Sequence, residues 1–270
     1  MLKSRAVDIR HCLRFLVGVL ELCAVAVLAC IISVSALAFA ARPDVPVVIE
    51  RAERDYAARA DVNNVRHAIA LLREVVTRNP KSYEALWRIA KYDCYLARQL
   101  PDKQQNAVLE NGVKAGKEAE RLDARRPEAH FWTGANEGLL AENGGLFAGL
   151  RLIDPIRKEM ETVKRLDSDY EQDGAERILG RLYYEAPFFR GGNKQLSVRI
   201  LEKCLRRFPK NSLTMLYLAD SYRATGHRDH ARKMLRRILD LGPSPQYAPE
   251  LAQNQDQARR ELRKYFHTDQ

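Results

Sequence analysis

Two stretches decide the fold of this chain: Ser197-Val198-Arg199-Ile200-Leu201-Glu202-Lys203-Cys204-Leu205-Arg206-Arg207-Phe208-Pro209, and Ala231-Arg232-Lys233-Met234-Leu235-Arg236-Arg237-Ile238-Leu239-Asp240-Leu241-Gly242-Pro243. Ser197, Leu201, Cys204 and Pro209 are matched one period later by Ala231, Leu235, Ile238 and Pro243. Each stretch places a small residue and two apolar residues on one helical face and stops at proline, whose ring removes a donor and disfavours helix in the residue before it. Between them, Leu218, Ala219 and Tyr222 give a second apolar face, and Gly226 marks a turn. The pattern is a helical hairpin with a period of about 34 residues.

That period and residue set are those of a tetratricopeptide repeat, and the template extends towards the N-terminus. Ala68, Leu72, Val75 and Pro80 keep the second-helix spacing, and Ile89 with Ala90 start the next hairpin. Gly112, Gly116 and Ala119 supply small residues for a close helix contact, with Ala124 in the terminal position and Gly134 at the next small one. Ile156, Met160, Val163 and Ser168 are a degenerate copy, and Leu179, Gly180 and Tyr183 lead into the Ser197 helix. The terminal positions Pro80, Ala124, Ser168, Pro209 and Pro243 are spaced widely at first and then tighten to the standard period. The expected fold is therefore all-α: a tetratricopeptide-like array of about five helix pairs, closed by a C-terminal capping helix from Pro249 to Phe266 and preceded by an N-terminal apolar helix.

The expected organisation is a signal peptide or membrane anchor over residues 1–40, a spacer over 41–47 and a repeat domain over 48–270. Lys3, Arg5, Arg10 and Arg14 precede a run from Phe15 to Ala40 that is apolar apart from Glu21 and a few small polar residues. Ala38-Phe39-Ala40 fits a cleavage site, whereas the length of the run fits a bilayer span; lipidation at Cys30 fits least, because the chain stays apolar beyond it. Each alternative exports the body to the periplasm or cell envelope, since the basic flank stays inside. Cys12, Cys23 and Cys30 lie in the leader; Cys94 and Cys204 remain in the body and are expected as core thiols without a disulfide.

The net charge is +10. Arginine pairs at 125/126, 206/207, 236/237 and 259/260 read as solvated helix faces, and export argues against nucleic acid; an acidic partner or anionic lipid fits better. No nucleophile elbow, phosphate-cradling loop or zinc signature is present, so neither enzymatic activity nor a cofactor is expected. His227 and His230 stand at a turn without ligating neighbours, and Asp167/Asp169 and Glu159/Glu161 read as solvated helix acids, so no metal site is expected.

Two segments read as loops of interest. Ala141 to Leu150 is too rich in glycine to extend the helix carrying Phe131 and Trp132, and Tyr183 to Gly192 holds Pro187, Phe188, Phe189, Arg190 and a Gly-Gly pair. Either the aromatics pack onto their own hairpins, or they line an apolar path. The candidate ligand or partner residues are Phe131, Trp132, Phe147, Tyr183, Tyr184, Phe188, Phe189 and Arg190. The structural repeat positions are Ala68, Pro80, Ala90, Gly134, Gly180, Cys204, Pro209, Ala219, Tyr222, Ala231 and Pro243.

Pro127-Glu128-Ala129-His130-Phe131-Trp132, Leu179-Gly180 with Pro187 and Gly191-Gly192, Leu218-Ala219-Asp220-Ser221-Tyr222 and Pro249-Glu250-Leu251-Ala252 occur in an order that resembles the T component of tripartite ATP-independent periplasmic (TRAP) transporters. The resemblance spans roughly Ser82 to Phe266. It implies an exported helical lipoprotein that associates with the periplasmic solute-binding protein, carries a hydrophobic ligand path and self-assembles. The chain departs from that pattern in lacking a convincing lipobox. A general scaffold for protein assembly in the envelope, with no small ligand, is the alternative.

Overall fold

The computed structural model describes residues 44–243 and 247–266. The chain divides into two units, Met1–Val47 and Val48–Gln270. The leader and the readings of Cys12, Cys23 and Cys30 lie outside the described residues. Those residues form eleven α-helices: α1 Val45–Ala57, α2 Val62–Arg78, α3 Tyr83–Ala97, α4 Asp102–Leu122, α5 Pro127–Asn143, α6 Gly145–Leu166, α7 Gly174–Glu185, α8 Lys194–Arg207, α9 Ser212–Ala224, α10 Arg228–Leu239 and α11 Ala248–Phe266. A short 3-10 turn, Phe188–Arg190, lies between α7 and α8. The helices pair as α3/α4, α5/α6, α7/α8 and α9/α10, with α1 and α2 ahead of them and α11 following, so the all-α repeat array is the observed fold.

Local signals set the helix ends. Asp61, Ser82, Asn193 and Asn211 each accept a hydrogen bond from a backbone N–H in the first turn of the helix they precede, satisfying donors that have no partner inside the helix. Pro127 opens α5, where its missing N–H costs nothing. The chain leaves α2 and α8 two residues before Pro80 and Pro209, and α10 four residues before Pro243.

Small residues set how closely the helices approach. A Cβ added at Gly116 would stand 2.2 Å from Thr133 Oγ1, and one at Gly134 2.5 Å from Met160 Cε. At Gly180 it would stand 2.8 Å from Leu201. Ala68, Ala90, Cys204, Ala219 and Ala231 are buried in the same kind of contact. Cys94 and Cys204 are free thiols, and burial pushes the Cys204 thiol up to about 12 and that of Cys94 up to about 11, so neither is a ready nucleophile. The last hairpin and α11 share one core, in which Ala258 and Leu262 join Leu218, Ala219, Leu235 and Ile238.

The expected loop from Ala141 to Leu150 is not one. Helix α5 runs on to Asn143, and α6 begins at Gly145, so the connection is Gly144 alone. Gly145 takes the left-handed conformation at φ +69°, which confines the change of direction to one peptide and leaves Leu146 free to start a helix. Pro155 then sits inside α6. In the Tyr183–Gly192 segment, α7 ends at Glu185, just ahead of Pro187, and Gly191 supplies φ +87°.

Ala219 is 1% exposed in the α9 contact with the terminal core. Ala219→Leu is expected to lower the unfolding free energy by about 1–3 kcal/mol through overpacking, measured by urea denaturation followed by circular dichroism; unchanged stability would contradict this register.

Candidate ligand cavity

Helix α11 does more than cover the last hairpin. Its first turn reaches back across the array to the turn after α1, where the Arg59 guanidinium donates from Nε and Nη2 to the two oxygens of Glu250, both at 2.8 Å. Arg59 is almost fully buried and lies over the Tyr56 ring, and the Tyr95 hydroxyl donates to its carbonyl. Gln253 Nε2 donates to Gln99 Oε1 at 3.0 Å, and the Tyr247 hydroxyl donates to Glu171. These contacts join residues about 75 to 190 positions apart and close the concave side of the array.

Beside these contacts lies a partly open cavity of about 890 Å³. Its walls come from Tyr56 on α1 and mainly from the first helix of each pair: Cys94 and Tyr95 on α3 with Arg98 just after it, Trp132 and Leu139 on α5, Ile178 and Arg181 on α7, and Tyr217 on α9, with Leu251 on α11 as the lid. Trp132 is fixed by donating from Nε1 to the Tyr170 hydroxyl at 3.0 Å, with the Lys91 ammonium 5.1 Å from its ring centre. Part of the wall is strained backbone, because Glu171, Gln172 and Asp173 hold φ of 51°, 58° and 56° in succession. The buried Arg177 holds that turn by donating to the carbonyls of Gln172 at 2.9 Å and Glu171 at 3.1 Å.

Arginines on the wall differ in how their charge is balanced. Arg181 faces Asp220 and Glu185, each at 2.7 Å, with Glu142 at 3.5 Å. Arg98 lines the cavity, is exposed, and makes no ion pair among the described residues. The cavity therefore combines aromatic and aliphatic walls with one guanidinium left for a ligand.

The residues expected to line an apolar path divide. Phe131 and Trp132 line the cavity. Tyr183 packs on the core between α5, α6 and α7, and Tyr184 lies beside the Arg181 guanidinium, 5.0 Å from ring centre to carbon. Phe188 and Phe189 are 91% and 75% exposed and Phe147 is 87% exposed, so these rings pack onto nothing. Arg190 ties the 3-10 turn to α6 by an ion pair with Asp154 at 2.8 Å. The turn and the start of α6 flank a smaller cleft of about 250 Å³, lined by Leu146 and Pro187 among others. Tyr95, Arg98 and Tyr217 escape the sequence reading; the signal available is a basic residue at the end of α3, one turn beyond its buried face.

Among the described residues no helix is long and apolar enough to cross a membrane. The fold is that of a tetratricopeptide-type helical repeat protein, and a tetratricopeptide repeat model matches residues 213–243. The chain belongs to the family described as regulator of microtubule dynamics protein 1-3, whose model matches residues 48–187, just over half of its length. Among curated proteins no sequence matches it. It is similar in fold to the tetratricopeptide protein TTC0263 of Thermus thermophilus, at a TM-score of 0.59 and 15% identity over 79% of this chain and 98% of that one. It is also similar to PilW, a type IV pilus biogenesis factor, at a TM-score of 0.53 and 16% identity over 83% of this chain and 94% of that one.

One buried group gives the stability of this body a pH signature. Asp93 on α3 is fully buried, neither of its oxygens has a hydrogen-bond partner, and Arg73 stands 3.8 Å away. Burial pushes its carboxyl up to about 7. Because the folded state holds this proton more tightly than the unfolded one, the contribution is fully present below the ordinary carboxylate range and is lost as pH rises towards 7. Asp93→Asn is expected to raise stability at pH 8 by about 2–4 kcal/mol and to leave it nearly unchanged at pH 4, measured by urea denaturation at both values.

Proposed function

We propose that the protein is a non-enzymatic binding scaffold whose concave cavity takes an amphipathic acid, its apolar body against Tyr56, Trp132, Ile178 and Leu251 and its acidic head at Arg98. The single observation that carries this reading is an arginine that lines a partly open, aromatic-walled cavity and makes no ion pair of its own among the described residues. A cavity of this volume suits a small to medium ligand, and a charged hydrogen bond in a partly desolvated site contributes more than one in water. Repeat arrays work by holding partners, and the exposed Phe147, Phe188 and Phe189 suit a protein partner at the outer cleft. A protein partner is what a tetratricopeptide-type array generally holds, and the resemblance to the T component implies a periplasmic solute-binding protein in that role. An exported, envelope-tethered location is the setting that the basic and apolar leader supports.

The test is binding of a fluorescent long-chain carboxylic acid to the full-length chain in mild detergent. Arg98→Ala is expected to weaken it by roughly 10- to 100-fold, and the matching long-chain alcohol to bind about as weakly to either form. Equal binding of acid and alcohol by the unaltered chain would remove the acidic head from the proposal. No binding of either would return the cavity to a structural role.

A further inference from the structure

A second constellation lies away from the cavity, where α4, α5 and α6 meet. It corrects the expectation that Glu159 is a solvated helix acid, for Glu159 is 3% exposed and points inward. His130 Nδ1 lies 2.6 Å from Glu159 Oε2 and 3.9 Å from Glu120 Oε2, and one ligand atom from each of the three residues falls within 4.8 Å of the others. On its other side, His130 Nε2 is 3.0 Å from the Ala124 carbonyl. A carbonyl only accepts, so Nε2 carries the proton, and a neutral His130 presents its Nδ1 lone pair directly at a carboxylate. That contact is repulsive unless a cation or a second proton lies between them. A ring nitrogen fixed by a backbone carbonyl while the other faces acidic groups is also the arrangement that orients metal-ligating histidines.

Glu137 provides an independent pointer. It is 5% exposed, its Oε2 has no hydrogen-bond partner, and the charged groups acting on it are Lys117, Glu159 and Glu120. Glu120 Oε1 is likewise buried without a partner. Two carboxylates and one histidine thus converge beside the buried Glu137, and the Lys117 ammonium, bonded to Glu159 and 3.4 Å from Glu120, is the cation that meets them. Lys117 is 38% exposed along its side chain, so it marks a route to solvent and can swing aside.

We propose that Glu120, His130 and Glu159 form a binding site for a divalent transition-metal ion of the zinc type, with Glu137 closing it and Lys117 as the competing cation at its mouth. The metal takes the place of the Nδ1 proton and of the ammonium, which leave to solvent. One imidazole nitrogen with carboxylate oxygens is a borderline donor set that suits zinc or cobalt over calcium. Bound there, the ion would tie three helices together. The site is distinct from the cavity and does not depend on the ligand proposed for it.

The experiment is titration of the full-length, chelator-treated chain with Co²⁺, read by its visible d–d absorption, followed by displacement with Zn²⁺. One equivalent per chain is expected. Glu159→Gln should weaken uptake by roughly 100-fold, and Lys117→Met should tighten it by about tenfold, the opposite of what loss of a mere structural ion pair would do. The Lys117→Met arm keeps the test decisive if Glu159→Gln fails to fold. No uptake by either the unaltered chain or Lys117→Met would overturn the proposal. So would uptake that survives Glu159→Gln but is lost when His227 and His230 are both replaced by alanine.

Discussion

The paired hydrogen bonds between Arg59 and Glu250 are the constraint on which the working part of this molecule depends. Without them, the repeat would be an open array with a solvated concave face, since each hairpin packs chiefly on its neighbours. With them, the first turn of α11 is held against the turn after α1, and the concave face becomes a cavity. A buried guanidinium is tolerated here because it is fully engaged: two carboxylate oxygens accept from it, and the Tyr56 and Tyr95 rings lie beneath it. Removing one partner of such a pair costs more than the pair contributes, because the other charge is left desolvated.

Closure also explains how polar groups are distributed on the inner wall. The residues that line it come from helices packed on both sides, so a polar side chain there must pair with a neighbouring helix, as Arg181 does with Asp220, or face the lumen, as Arg98 does. The left-handed run at Glu171–Asp173 belongs to the same logic. Three strained residues persist because Arg177, Arg207 and Asn211 hold them from the surrounding helices, and they bring Glu171 within reach of Lys91 and Tyr247.

Much of this was legible in the sequence, for physical reasons that operate within one hairpin. Ala219, Ala231, Gly134 and Gly180 are small because a neighbouring helix leaves no room, and Pro80, Pro209 and Pro243 stop helices through their own rings. What escapes depends on distance along the chain. Arg59 and Glu250 are 191 residues apart and neither stands in a motif. Ala141–Leu150 reads as a loop when its glycines are weighed together, whereas Gly144 and Gly145 absorb the whole change of direction. The cluster of Glu120, His130 and Glu159 leaves a fainter trace: His130, Gly134 and Glu137 share one face of α5, and Gly134 marks that face as inward.

The central claim is that closure by α11 creates a ligand cavity, and native mass spectrometry of the full-length chain, purified in mild detergent, tests it most directly. The unaltered chain should carry a bound acidic amphiphile, and Glu250→Ala should arrive bare while keeping its helical circular dichroism. A bare unaltered chain, or the same ligand retained by Glu250→Ala, would contradict the account.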